Sequence, residues 1–177
     1  KNKKIPKLIF VEHESYEEGI IGVAAGKLAE KYYRPAIVIA KGGKFSKASA
    51  RSVSGINIVE MIKGVGEEFF IGVGGHKMAA GFTIRTEQIK ILKERLFAIS
   101  EETIKDTDLI RKVRVDCDLD FGDLSESLYG ELQKFTPYGF GNPEPTFSTK
   151  GVAVEDARLV GKDNTHIKLR LAKGTRF

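Results

Sequence analysis

The chain has 177 residues, 41% of them hydrophobic and 30% charged, which is long enough to bury a core and gives no reason to expect disorder. Its formal charge of +5 favours polyanionic partners without separating DNA from RNA, or either from a basic surface that has no partner. The single cysteine, Cys117, excludes an internal disulfide framework and any multi-cysteine zinc site and suits a reducing cytoplasm, and no apolar run approaches the roughly 20 residues that span a bilayer.

The Lys-rich start, Lys1 to Lys4, leads into a strand-like segment too short for a secretion signal. A first residue that is Lys, and a last one inside a strand-like run, lead us to expect a piece of a longer chain. Leu8 to Val11 reads as a buried strand. Ile20, Ile21, Ala24, Ala25, Leu28 and Ala29 then recur at helical spacing up to Tyr32, and Pro35 stops the helix before the apolar strand Ala36 to Ala40. Strand, helix and strand of these lengths predict a βαβ unit with a parallel pair. After a Gly42-Gly43 turn, Lys47 to Ser52 alternates as a strand does, and Asn57 caps a short helix that buries Ile58, Met61 and Ile62. Phe69 to Val73 suits either a short strand or a helix end, Met78 to Ile84 reads as a strand, and Thr86 to Ile99 is an amphipathic helix.

Val113 to Phe121 alternates apolar and polar residues and predicts a half-buried strand, followed by a helix over Leu124 to Phe135. The Pro- and Gly-rich stretch Thr136 to Pro145 is expected to join a second, all-β piece, with strands at Phe147 to Ala157 and His166 to Leu171 around a turn at Gly161 to Asn164. The fold class expected is α/β, a mixed sheet with flanking helices over residues 1–135, then an incomplete all-β segment over 136–177.

Charge is unevenly spread. Pro35 to Val59 holds Lys41, Lys44, Lys47 and Arg51 and no acid, and Phe69 to Thr86 holds only Lys77 and Arg85, whereas Glu101 to Glu131 carries ten acids against four bases. The positive potential is thus concentrated on part of the surface.

Two segments offer chemistry. In Gly72-Val73-Gly74-Gly75-His76-Lys77, adjacent glycines let backbone N–H groups approach an anion, and His76 and Lys77 add side-chain donors. The same letters suit a tight turn before a strand with an incidental histidine, and spacing alone favours that plainer explanation. In Ser49-Ala50-Arg51-Ser52, alternation puts Ser49 and Arg51 on one face, where Arg51 could hold phosphate bidentately, yet an ordinary solvated edge strand explains these residues as well. Asp116, Asp118 and Asp120 lie on one side of their strand, but Phe121 and Ser127 stand where a calcium loop needs Gly and Glu, and His13, His76 and His166 have no zinc-like spacing. No residue set is assigned to a metal.

Taken in order, Gly19 to Leu28 (GIIGVAAGKL), Tyr33 to Ile39 (YRPAIVI), Ala48 to Ser52 (ASARS) and Gly74 to Gly81 (GGHKMAAG) resemble the DHH-associated domain of RecJ exonucleases. Pro137 to Pro145 (PYGFGNPEP) and Gly161 to Leu169 (GKDNTHIKL) look like the start of the OB fold that follows it in that family. Tyr138, where the family commonly has phenylalanine, and Glu17-Glu18, where a Trp- or Pro-containing loop is usual, depart from the pattern. The resemblance implies a 5′-to-3′ exonuclease of single-stranded DNA in recombination and repair, using Mn2+ or Mg2+ held by an N-terminal DHH domain. No Asp-His-His triplet occurs here, so those metal ligands are carried onto no residue, and the chain alone is expected to bind DNA without cutting it. By the same resemblance, Ser49, Arg51 and Ser52 with Gly74, Gly75, His76 and Lys77 would hold substrate phosphate. His76 would contact the substrate and stabilise transition-state charge rather than act as a general base. Two other readings stay open: a phosphodiesterase of short oligonucleotides or cyclic dinucleotides, which the Pro137 to Pro145 junction argues against, and a non-catalytic nucleic-acid-binding or adaptor module.

Overall fold

The computed structural model describes residues 5–173. The chain divides into two compact units, Lys1–Arg111 and Lys112–Phe177.

The first unit is built on a five-stranded mixed sheet in the order β1-β2-β3-β5-β4, with β1 Ile9–His13, β2 Ala36–Ala40, β3 Phe45–Arg51, β4 Phe70–His76 and β5 Ala79–Arg85. β1 and β2 run parallel and are joined by helix α1, Ile21–Tyr32, which is the expected βαβ unit; the remaining pairings are antiparallel. β2 is the continuous apolar run AIVIA and is buried at every position, as a strand flanked by strands and covered on both faces must be.

The two faces of this sheet are covered unequally. On one, α2 (Ile58–Lys63) and α3 (Ile89–Thr103) pack Ile58, Ile62, Leu92 and Leu96 against Ile37, Ile39, Ala50 and Ile84, all of them fully buried. Asn57 caps α2 as expected, its side chain accepting from the Glu60 N–H. On the other face α1 sets Ile21 and Ala25 against Val38 and Ala40, so it packs on β2 and β3. The same face of β5 and β4 presents Gly81, Gly74 and Gly72 without a covering helix. A trough is left beside α1.

In the second unit α4, Glu126–Gln133, is capped by Ser125, whose Oγ accepts from the Leu128 N–H at 3.2 Å. β6 (Cys117–Asp118) pairs in parallel with β7 (Phe147–Ser148), and β8 (Val152–Val160) forms an antiparallel hairpin with β9 (His166–Lys173). Among the described residues this unit therefore holds two two-stranded sheets.

One expectation is corrected. The alternating stretch Val113 to Phe121 is strand only at Cys117–Asp118, because backbone pairing is supplied only by the two-residue β7. The stretch belongs to the second compact unit and pairs forward: the Asp116 and Leu119 N–H groups donate to the carbonyls of Thr146 and Ser148.

Candidate nucleic-acid interface

Of the residues singled out from sequence, Ser49 and Arg51 lie on β3 and Gly74, Gly75 and His76 on β4, with β5 between these strands, while Ser52 follows β3 and Lys77 is in the β4–β5 turn. In the ladder Arg51 stands opposite Ala79 and Ala79 opposite His76; one step along, Ser49, Gly81 and Gly74 form the adjacent row. Directly opposed residues share a sheet face, so Ser49, Arg51, Gly74 and His76 all occupy the face left open by α1. Strand spacing puts the Arg51 and His76 backbones about 10 Å apart. The glycine segment is not a loop, as the turn reading supposed. Gly72 to His76 belong to edge strand β4, and the turn is Lys77–Met78. It is pinned by the Ser52 N–H to the Met78 carbonyl at 2.9 Å and the Ile58 N–H to the Lys77 carbonyl at 3.0 Å.

Arg51 is half-buried. Its Nη1 donates to Ser49 Oγ at 3.1 Å and to the Ala50 carbonyl at 2.9 Å, so the guanidinium lies folded back toward α1. Gly22, in the first turn of α1, makes this approach possible: a Cβ there would stand 3.3 Å from Arg51 Nη2 and 3.4 Å from Ser49 Oγ. That end of α1 has no side-chain cap and no acidic residue in its first turn, so its N–H groups keep the positive end of the helix dipole free beside the guanidinium. Glu18, Gly22, Lys47, Ser49, Gly81 and Thr83 are among the residues lining a groove of about 630 Å³ here. Lys47 Nζ meets Glu18 Oε2 at 2.6 Å across it, an exposed pair that an incoming polyanion can displace.

His76 is exposed, and its Nδ1 accepts from the Met78 N–H at 3.4 Å, leaving Nε2 to carry the proton of the neutral ring. Lys77 is exposed in the turn. Gly75 serves the backbone: φ is +144°, and a Cβ would meet the Ala79 carbonyl oxygen at 2.3 Å. Ser52 does not join the site. It is only 9% exposed, on the helix-covered face, and its hydroxyl donates to the Ile56 carbonyl at 2.7 Å, so it has no proton left for a phosphate. Sequence reasoning passed over Gly22, Lys47 and Gly81 as site residues. Gly22 lies within the quoted GIIGVAAGKL segment, but only the packing of α1 on β3 shows what it faces.

The acidic row of the second unit is occupied by its own cations. Asp118 takes Lys150 at 2.5 Å and the Ser148 hydroxyl, Asp120 takes Lys173 at 2.5 Å, and Asp116 accepts from the Thr146 N–H at 3.0 Å. Hydrogen bonds from Lys150 and then Ser148 hold the Asp118 carboxyl below its ordinary value, and the Lys150 ammonium is raised in turn by Asp118. Among the described residues no group of three or more His, Cys, Asp or Glu side chains is placed to hold a metal ion. The ten Lys and Arg of residues 112–177 are matched by ten Asp and Glu, so the net charge of +5 resides in residues 1–111, with the groove.

Comparison with known proteins agrees with this division. Residues 5–105 match the DHHA1 domain and residues 115–177 the RecJ OB domain. The single-stranded-DNA-specific exonuclease RecJ of Bacillus subtilis is 33% identical over 167 residues, covering 92% of this chain and 21% of that protein. The RecJ of Thermus thermophilus is 34% identical over 158 residues, covering 89% and 22%. The chain therefore spans about a fifth of the length of these relatives. Among solved structures, RecJ from Thermus thermophilus in complex with Mn2+ superposes with a TM-score of 0.78 at 30% identity, over 96% of this chain and 26% of that one. Its complex with Mg2+ gives 0.78 at 29% identity, over 99% and 28%. The chain belongs to the DHHA1 domain family, here followed by a RecJ OB domain in the arrangement it shares with the RecJ exonucleases.

Proposed function

We propose that this chain is the substrate-binding part of a single-strand-specific 5′-to-3′ DNA exonuclease of recombination and repair, acting in the cytoplasm. The reading is carried by one observation: Ser49 lines an open trough with Gly72 and Gly81 beside the uncapped end of a helix, and the Arg51 guanidinium is hydrogen-bonded to its hydroxyl, a setting that suits a phosphodiester. Arg51, Ser49 and the first turn of α1 hold the phosphate as charge-assisted donors. Gly74 and Gly81 keep the floor free of side chains, so a sugar-phosphate chain can lie close to the sheet. His76, farther along the same face, and Lys77, in the turn that follows it, are donors that contact the substrate and offset developing negative charge.

The Mn2+ and Mg2+ named for the Thermus structures find no fitting donor set among the described residues of this chain. The metals and the water they activate belong to a DHH domain that is this chain's partner in the whole protein. The following OB domain favours strands over dinucleotides as substrate, since it adds binding surface that a dinucleotide has no length to use.

The test is a titration of the chain with a labelled oligothymidine, read by fluorescence anisotropy at several salt concentrations. Binding weakens as salt rises, with a slope near 0.7 per phosphate neutralised, and Arg51→Ala weakens it about tenfold or more. No binding at low salt, or Mn2+-dependent cleavage by the chain alone, overturns the proposal.

A further inference from the structure

Helix α1 has a second end. Its 12 residues span about 18 Å, and at its C-terminal end the outer face carries Lys27 and Lys31, one turn apart. Tyr33 ends the helix in the left-handed region, with φ at 48°. Arg34 then fixes what lies beside it: its Nη1 donates to the Tyr33 carbonyl at 2.9 Å and to the Leu109 carbonyl at 3.0 Å, which ties the segment around Leu109 to the helix end. Arg111 follows on that segment. Its Nη2 donates to the Glu30 carbonyl at 2.6 Å, and its guanidinium stands 5.5 Å from the Tyr33 ring centroid. Lys31 Nζ stands likewise 5.5 Å from the Tyr32 ring.

Lys27, Lys31, Arg111, Tyr32, Tyr33 and Glu30 line an open groove of about 550 Å³. Three cations share it with one acid. Among the described residues Lys27, Lys31 and Arg111 have no carboxylate within ion-pair distance, unlike Lys63 with Glu67 at 3.1 Å and Lys47 with Glu18 at 2.6 Å; Lys44, Lys77, Lys90 and Lys105 are also unpaired, but they do not line this groove. Attraction to the negative end of the helix explains the Arg111 hydrogen bond and the placement of Lys31. It does not explain Lys27, a full turn earlier, nor why Arg111 commits Nη2 alone when a guanidinium has five N–H donors. Three cations beside a single carboxylate leave an excess of positive charge, and a polyanion relieves the repulsion among them. Two of them are also held over aromatic faces, which limits their freedom before any ligand arrives.

We propose that this groove is a second contact for single-stranded nucleic acid, with a backbone phosphate held between Lys27, Lys31 and Arg111. The inference rests on the reading of the chain as a single-strand binder and is independent of the Arg51 site, which lies at the opposite end of α1. A strand long enough to follow the helix can use both.

The experiment uses the full chain and a twelve-residue oligothymidine, measuring affinity from low to moderate salt for Lys27→Gln/Lys31→Gln, for Lys27→Arg/Lys31→Arg, and for a control double variant, Lys90→Gln/Lys105→Gln. Lys90 sits on α3, across the sheet, and both control lysines are exposed. Loss of the groove contact lowers the salt slope by about 0.7 for each phosphate released, while the arginine pair and the control keep the slope of the unaltered chain. Equal slopes for the two glutamine variants, or no change in the first, overturn the inference. If Arg51→Ala is without effect while Lys27→Gln/Lys31→Gln lowers the slope, the groove stands and the Arg51 reading falls. If the unaltered chain fails to bind, both fall together.

Discussion

Replacing Gly22 with alanine is predicted to make the protein slightly more stable and a poorer binder. The added Cβ stands 3.3 Å from Arg51 Nη2 and 3.4 Å from Ser49 Oγ, a few tenths of an ångström inside comfortable contact. Both neighbours are ends of side chains rather than backbone, so they yield and the fold is spared. The helix gains up to about 1 kcal/mol from exchanging Gly for Ala. What is lost is position: the guanidinium and the hydroxyl that would share a phosphate are both pushed off their present places. Losing one charge-assisted hydrogen bond costs about 1.5–3 kcal/mol, or roughly tenfold to a hundredfold in affinity. Thermal denaturation followed by circular dichroism reads the first effect, and anisotropy with a labelled oligothymidine reads the second. Unchanged affinity would refute the cradle at Gly22. A loss of binding that merely tracks a lowered melting temperature would show that Gly22 is only a packing position.

Gly75→Ala should behave oppositely, because φ of +144° and a carbonyl oxygen 2.3 Å from the new Cβ leave no room to adjust; we expect a loss of at least about 2 kcal/mol in urea denaturation. The two serines separate cleanly: Ser49→Ala lowers oligonucleotide affinity with little change in stability, whereas Ser52→Ala, which frees the buried Ile56 carbonyl, costs about 1 kcal/mol or more and leaves affinity intact. Acidification should weaken the second unit at Asp118. Its lowered pKa gives a stabilisation that is present above the ordinary value of 3.8 and fades as pH falls through the lowered one. Lys150, with its pKa raised, contributes fully below 10.5 and loses that contribution as pH rises through its raised value. Asp118→Asn should flatten both limbs of a chemical-denaturation series, and limbs that persist would locate the dependence elsewhere.

Much of the first unit was legible from periodicity. β2 is the predicted Ala36–Ala40, α1 begins within one residue of the expected start, and Asn57 caps α2, because each is specified by local pattern and a stop signal. The stretch Val113 to Phe121 shows where such patterns fail. Alternation states which faces could be wet or dry, but a strand also needs a neighbour of matching length, and β7 offers two residues. The glycine-rich segment misled in the other direction: it reads as a turn by composition, yet β5 pairs with it through His76 and makes it an edge strand.

By itself the order of residues determined the βαβ start, the apolar faces that close the core, and the concentration of positive charge in the first unit; these depend on neighbours along the chain or on simple composition. Tertiary structure decided which of the candidate residues share a surface. Ser49 and Ser52 are equally polar and three positions apart, but one faces a trough and the other a packed helix layer. Alternation separates the two serines onto opposite faces, but only the packing of α1 over the β2 and β3 side of the sheet, with no helix over β5 and β4 there, decides which of those faces is open.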